Sequence, residues 1–147
     1  MDDANPEALS GRELVDAIVD GRLPQPPMLQ TLSIRIVEAG DQYAVLEGNP
    51  GPQHLNPGLV HGGYALTMID GATGSAGNTL RPACGLIGTI ETKVNMVRPI
   101  RVETGPIRAT GRVISAGRRI VLTEGRLEDL NGALLAYGTS TLMLTAP

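Results

Sequence analysis

The run His61-Gly62-Gly63-Tyr64-Ala65-Leu66-Thr67-Met68-Ile69-Asp70 places two kinds of reactive group on one stretch of helical periodicity. Gly62 and Gly63 stand at its start, where the first backbone N–H groups have no intrahelical partner and the helix dipole is positive. A carbonyl docked there would meet a fixed donor as it became an oxyanion, an effect worth on the order of 10²–10³ in rate. The plainer role for the pair is the turn into the helix. Asp70 lies mid-helix between Ile69 and Gly71, where burying an unpaired carboxylate is costly. A solvent-facing or capping acid is the ordinary explanation for such a residue. Eight steps separate Gly62 from Asp70, about 80° around the axis and about 12 Å along it. One helix cannot easily aim both groups at one small carbonyl, whereas two antiparallel copies side by side would bring the start of one to the middle of the other.

Other candidates surround this run. Asn56 carries an amide able to orient water or a carboxylate, or it is a turn residue before Pro57. His61 can cap the helix, help place a substrate, or be purely structural, and His54 reads as structural. Arg118 and Arg119, after Gly117, could hold phosphates through charge-assisted bonds or form a solvated hairpin. Residues 1–80 hold ten acids against three bases, and residues 81–147 nine bases against five acids. The net charge of -3 thus divides into halves of about -7 and +4, and a basic second half could meet a phosphorylated ligand.

Several chemistries are excluded or disfavoured. Cys84 is the one cysteine, which rules out an internal disulfide and a multi-cysteine metal site. No suitably placed histidine signature accompanies it, so a nucleophilic thiol is not expected. Two histidines form no ligand cluster, and no metal is expected. The run GATGSAG lacks the Lys-Ser/Thr ending of a phosphate loop and falls within the helical pattern instead of before it. With no Trp or Phe and three Tyr, there is little material for stacking bases, so nucleic acid is not an expected partner. The acidic start MDDANPEALSGREL has no basic and apolar signal pattern, and no apolar run is long enough for a bilayer. A soluble protein of a reducing cytoplasm is the expectation.

At 147 residues with 41% hydrophobic side chains, the chain has the size of one domain with a real core. Residues 7–20 carry Leu9, Leu14, Val15, Ile18 and Val19 at near-helical spacing, with Gly21 and the Pro24, Pro26, Pro27 cluster as a stop. Strands are expected in TLSIRIVEA and QYAVLEG, separated by a turn around Gly40. Residues 49–60 read as an irregular loop. The helical pattern from His61 spreads its apolar residues around much of the circumference, as in a buried helix. Its second half contains Gly71, Gly74 and Gly77, each weakening a helix by roughly 1 kcal/mol relative to Ala, so close packing of a sheet or a second chain must hold it. Four extended segments follow: LIGTIETKVNMVRP, VETGPIRATGRVISA, RRIVLTEGRLED and ALLAYGTSTLMLT, the last two joined by the hairpin signal Asn131-Gly132. An α+β fold results, an antiparallel sheet wrapped around one central helix, with an extra N-terminal helix. Its edge strands are of the kind that dimerisation commonly covers.

The asparagine-proline loop, Val60-His61-Gly62-Gly63, Asp70 nine residues after the histidine, and the strand Thr89-Ile-Glu-Thr-Lys-Val-Asn-Met-Val-Arg98-Pro99 together resemble hotdog-fold thioesterases of the phenylacetate-degradation and 4-hydroxybenzoyl-CoA thioesterase type. The resemblance covers nearly the whole chain after residue 25 and divides it into a lead-in, 1–25, and one hotdog domain, 26–147. It implies hydrolysis of an acyl-CoA thioester, with no cofactor beyond the CoA that the substrate carries. Asp70 is then the nucleophile or general base, and Gly62 the backbone donor to the carbonyl. Asn56, His61 and Thr89 would assist, and Gly63, Arg118 and Arg119 would bind substrate. The resemblance also implies a homodimer with the site shared between subunits, assembled further as a dimer of dimers, a homotetramer. The spacing from Asn56 to His61 is one residue shorter than relatives commonly have. A non-catalytic acyl-CoA sensor and an enoyl-CoA hydratase of the same fold are the alternatives. The hydratases' Asp-His arrangement is not found here, and the sensor would have to explain why Asp70 is kept.

Overall fold

The structure, a computed structural model, describes residues 6–145; the start of the acidic N-terminal segment lies outside them. Helix α1 (Gly11–Val19) begins later than the apolar spacing of 7–20 predicts. The reason is local: Ser10 is its N-cap, accepting from Glu13 N while its own N–H donates to Glu13 Oε2 at 2.9 Å, a reciprocal capping box that fixes the start. A short helix α2 (Pro27–Thr31) follows, where the sequence suggests only a proline-rich lead-in. Pro27 occupies its first turn, where a missing N–H costs nothing.

Strands β1 (Ile34–Gly40) and β2 (Tyr43–Gly48) form the expected antiparallel pair. The segment read as an irregular loop contains a single 3₁₀ turn at Pro52–His54 and a miniature hairpin, β3 (Leu55–Asn56) with β4 (Leu59–Val60). Helix α3 (Gly62–Asn78) carries the glycine pair and Asp70. Then come β5 (Leu86–Met96), β6 (Ile107–Ala116), β7 (Ile120–Asp129) and β8 (Leu134–Thr145). Strand β6 starts at Ile107 and not at the expected Val102, because residues 102–104 form a 3₁₀ turn closed by Gly105 at φ 75°. Six strands make one antiparallel sheet in the order β1-β2-β6-β7-β8-β5.

The sheet curves around α3, and a row of small residues lets the helix sink into it. Gly111, Gly125 and Gly138 are direct cross-strand neighbours on β6, β7 and β8. A Cβ at Gly111 would fall on the carbonyl of Ala72, and one at Gly138 would lie 2.9 Å from the Ile69 side chain. Met68, Ile69 and Ala72 of α3 are fully buried in one cluster with Leu46, Ile107, Ala109 and Leu127. Two of the three glycines in the second half of α3 are likewise packed from the sheet side, Gly71 under Leu46 and Gly77 under Leu142. Gly74 faces open space. Val15 and Ile18 bring α1 into the same core. Arg81, just after α3 and 7% exposed, ties the N-terminal segment to this end of the helix by donating to Leu9 O, and fixes the loop that follows by donating to Pro82 O and Gly85 O.

Candidate active site

Helix α3 begins with its own histidine as cap. His61 Nδ1 accepts the N–H of Gly63 at 2.8 Å, which requires the ring proton to sit on Nε2. Gly63, which the resemblance assigns to substrate binding, gives its N–H to this cap, and a Cβ there would lie 2.8 Å from the same nitrogen. Gly62 differs. It is exposed, and among the described residues nothing accepts its N–H. The first turn of α3 therefore presents one free backbone donor at the positive end of the helix dipole.

Two turns on, Asp70 is half-buried in a cleft of about 510 Å³ whose walls include Leu66, Thr67, Gly71, Thr89 and Thr92. Thr92 Oγ1 donates to Asp70 Oδ1 at 3.1 Å; among the described residues none hydrogen-bonds the second carboxylate oxygen and no cation pairs with it. A carboxylate with one oxygen held and the other open to a cleft is arranged to take a proton or to attack. Thr89 was expected at this place. It lines the cleft, but the hydroxyl on the carboxylate is that of Thr92. A bulge in β5 explains how both reach the same face: Thr89 pairs with Leu142 and Thr92 with Ser140, so Ile90 is the extra residue that resets the alternation. Strict alternation from Thr89 would have put Thr92 on the opposite face.

The glycine end of α3 opens elsewhere. His61 and Gly63 line a second cavity of about 390 Å³ with His54, Leu55, Tyr64 and Thr67. His54 accepts from Gly51 N at 3.0 Å and packs its ring against Tyr64, with centroids 4.7 Å apart. Burial pushes the Tyr64 phenol up to about 12. Within one chain, then, the helix start and Asp70 serve different cavities, as the helical geometry requires.

The remaining candidates stand apart from both. Asn56 is exposed on β3 and lines neither cavity. Arg118 and Arg119 are exposed at the β6–β7 turn. A larger cleft of about 610 Å³ beside β1 and β2 has Glu47 as its only carboxylate, and that is paired with Arg108 at 3.0 Å. Among the described residues no three His, Cys, Asp or Glu side chains converge to hold a metal ion. No helix among them is long and apolar enough to cross a membrane.

Comparison with known proteins places this geometry. Two proteins of Saccharolobus solfataricus named as esterases are 33% and 31% identical over 84 and 77 residues, 57% and 52% of this chain. The matched stretch spans about half the length of those relatives, 54% and 53%. Among solved structures, a phenylacetic acid degradation-related protein from Ralstonia eutropha superimposes with a TM-score of 0.80 at 24% identity, covering 88% of this chain and 98% of that one. A thioesterase family protein from Silicibacter pomeroyi gives 0.79 at 23%, covering 90% and 99%. A variant of phenylacetic acid degradation protein PaaI from Thermus thermophilus gives 0.73 at 23%, covering 80% and 98%. These likenesses show the fold, a sheet curled around one long helix, to be the hotdog arrangement. The family profile described as the thioesterase superfamily matches residues 57–136, from the β3–β4 turn through α3 to the first residues of β8, and the chain belongs to that superfamily.

Proposed function

We propose that this chain hydrolyses acyl-CoA thioesters to a carboxylic acid and CoA, with Asp70 as general base. The observation that carries the reading is the half-held carboxylate: Oδ1 tied to Thr92, Oδ2 unpartnered, in a cleft of the right size for an acyl group. Asp70 takes a proton from water as the water oxygen bonds to the thioester carbon, and the carbonyl electrons move onto an oxyanion held by the N–H of Gly62 of a second copy. Collapse of that intermediate breaks the C–S bond, and the departing CoA thiolate recovers the proton from Asp70. No cofactor beyond the substrate's own CoA is needed.

The separation of the Gly62 end and the Asp70 cleft within one chain supports a site completed by a second copy, hence a homodimer, assembled further as a dimer of dimers. Arg118 and Arg119 are free to meet CoA phosphates, and Asn56 and His61 to approach a substrate held across that interface. The free, exposed Cys84 fits a reducing cytoplasm.

The test is thiol release from a panel of short, long and aromatic acyl-CoAs, with Asp70→Asn and Asp70→Ala alongside. Turnover of at least one substrate, reduced about 10²-fold or more in both variants, is the expected result. Equal rates in wild type and variants would remove Asp70 from the chemistry, and binding without turnover across the panel would make this an acyl-CoA-binding protein instead.

A further inference from the structure

Behind Thr92 lies a chain of hydroxyls that the sequence does not single out. Thr92 Oγ1 is 2.9 Å from Ser140 Oγ, and Ser140 Oγ is 2.8 Å from Thr73 Oγ1. Thr73 in turn reaches the carbonyls of Ile69 at 2.9 Å and Asp70 at 3.1 Å. Thr73 and Ser140 are almost wholly buried, at 0% and 2% exposure, so their hydrogen bonds must be made inside the protein. The chain leaves α3 at the carboxylate of Asp70, crosses β5 and β8, and returns to α3 one turn further along.

Counting protons shows what this loop can do. It has four links: carboxylate to Thr92, Thr92 to Ser140, Ser140 to Thr73, and Thr73 to the helix carbonyls. Three hydroxyls supply three protons, since each Ser or Thr donates once. Beside an ionised Asp70 the chain is one proton short, and Thr73 must choose between Ser140 and the helix carbonyl. With Thr92 donating to Oδ1 and Ser140 to Thr92, the links nearest Asp70 are filled, and Oδ1 accepts from Thr92 whether or not Oδ2, open to the cleft, carries a proton.

We infer that Thr92, Ser140 and Thr73 are positioning residues for Asp70, a hydroxyl chain that holds Oδ1 as an acceptor while Oδ2, open to the cleft, gains and loses the proton. This rests on the general-base reading above, because that mechanism needs the carboxyl to gain and lose a proton without leaving its place. Thr92 carries the contact, and Ser140 and Thr73 keep it oriented.

Thr92→Val keeps the side chain's shape and removes the hydroxyl; Thr92→Ser keeps the hydroxyl. The expected result is a kcat about tenfold lower in Thr92→Val with KM unchanged, recovery of most of it in Thr92→Ser, and a smaller loss in Ser140→Ala. Crystal structures of wild type and Thr92→Val give a second reading independent of turnover, with the Asp70 carboxylate expected to leave its position in the variant. A Thr92→Val enzyme with wild-type kcat, a Thr92→Ser enzyme as impaired as Thr92→Val, or an Asp70 side chain that does not move would each overturn the inference. Wild-type protein that releases no thiol from any acyl-CoA would defeat the functional reading alone, and the displacement of Asp70 in the crystals would then decide the chain.

Discussion

Tyr64 shows how a single residue beside the helix start ties stability to pH. Its ring is 4% exposed and packs on His54, and among the described residues its hydroxyl meets only the backbone of Asn49, too loosely for a well-formed hydrogen bond. Burial raises the phenol from 10.0 to about 12, so the folded state resists ionisation more than the unfolded chain does. A raised value contributes stability that is fully present below the unfolded value and is lost as pH rises through the folded one. The Tyr64 contribution should therefore be level below about pH 10 and decline between pH 10 and 12, beside those of Tyr43 and Tyr137, whose phenols are raised by hydrogen bonds to Glu38 and Glu124. Tyr64→Phe should reduce that decline while leaving neutral-pH stability nearly unchanged, because the hydroxyl it removes makes no well-formed hydrogen bond. Urea titrations of both proteins across this range check it; an unchanged alkaline decline in the variant would assign the loss to other groups. The same scale separates Gly62 from Gly63. Adjacent and chemically identical, they differ because one N–H is taken by His61 and the other is not.

At the level of elements, the site depends on how deeply α3 sits in the sheet. The Gly111-Gly125-Gly138 row lets the helix backbone approach closely enough for Asp70 and Thr73 to reach hydroxyls on β5 and β8. Gly111→Ala would place a methyl group on the carbonyl of Ala72. Overpacking against backbone has no flexible side chain to yield, so a loss of about 3 kcal/mol is expected. Thermal or urea unfolding measures it, with Gly74→Ala as the contrast: that position has open space in the single chain, and the helix should gain up to about 1 kcal/mol there. A Gly111→Ala protein as stable as wild type would mean that α3 does not lie where the sheet row places it. The β1 edge of the sheet is protected by a comparable device, since the Gln25 side chain both donates to Ile36 O at 3.0 Å and accepts from Ile36 N at 2.8 Å, standing in for a neighbouring strand.

At the scale of the whole molecule, no such cover is found on the other edge among the described residues. Strand β5 ends the sheet with Leu86 73%, Ile90 56% and Met96 52% exposed, a long apolar edge of the kind that pairs with another chain. Self-association in solution follows as the expectation, to be measured by sedimentation. Ile90→Lys should shift the population toward monomer and, if the site is shared, reduce thiol release in parallel. A stable monomer with full activity would contradict the shared site.

The sequence by itself determined the order of elements, because period-3.6 and period-2 patterning are local properties. It therefore placed α3 and the six sheet strands within a few residues. It also singled out Gly62 and Asp70, whose meaning depends on position along one helix. It erred by a few residues at α1 and β6, where a capping box and a positive-φ glycine set the boundaries. It missed α2 and the miniature hairpin, which are too short to carry a period. What only the tertiary structure decided were partners brought together across the fold. Thr92, not Thr89, meets Asp70 across 22 residues of chain, and Ser140 meets Thr92 and Thr73 across 48 and 67. One bulged residue in β5 reverses which threonine faces the helix, and no pattern local to the strand announces a bulge. The resemblance already gave Gly62 and Gly63 different roles, and the folded helix start adds the reason: the N–H of Gly63 goes to the His61 cap.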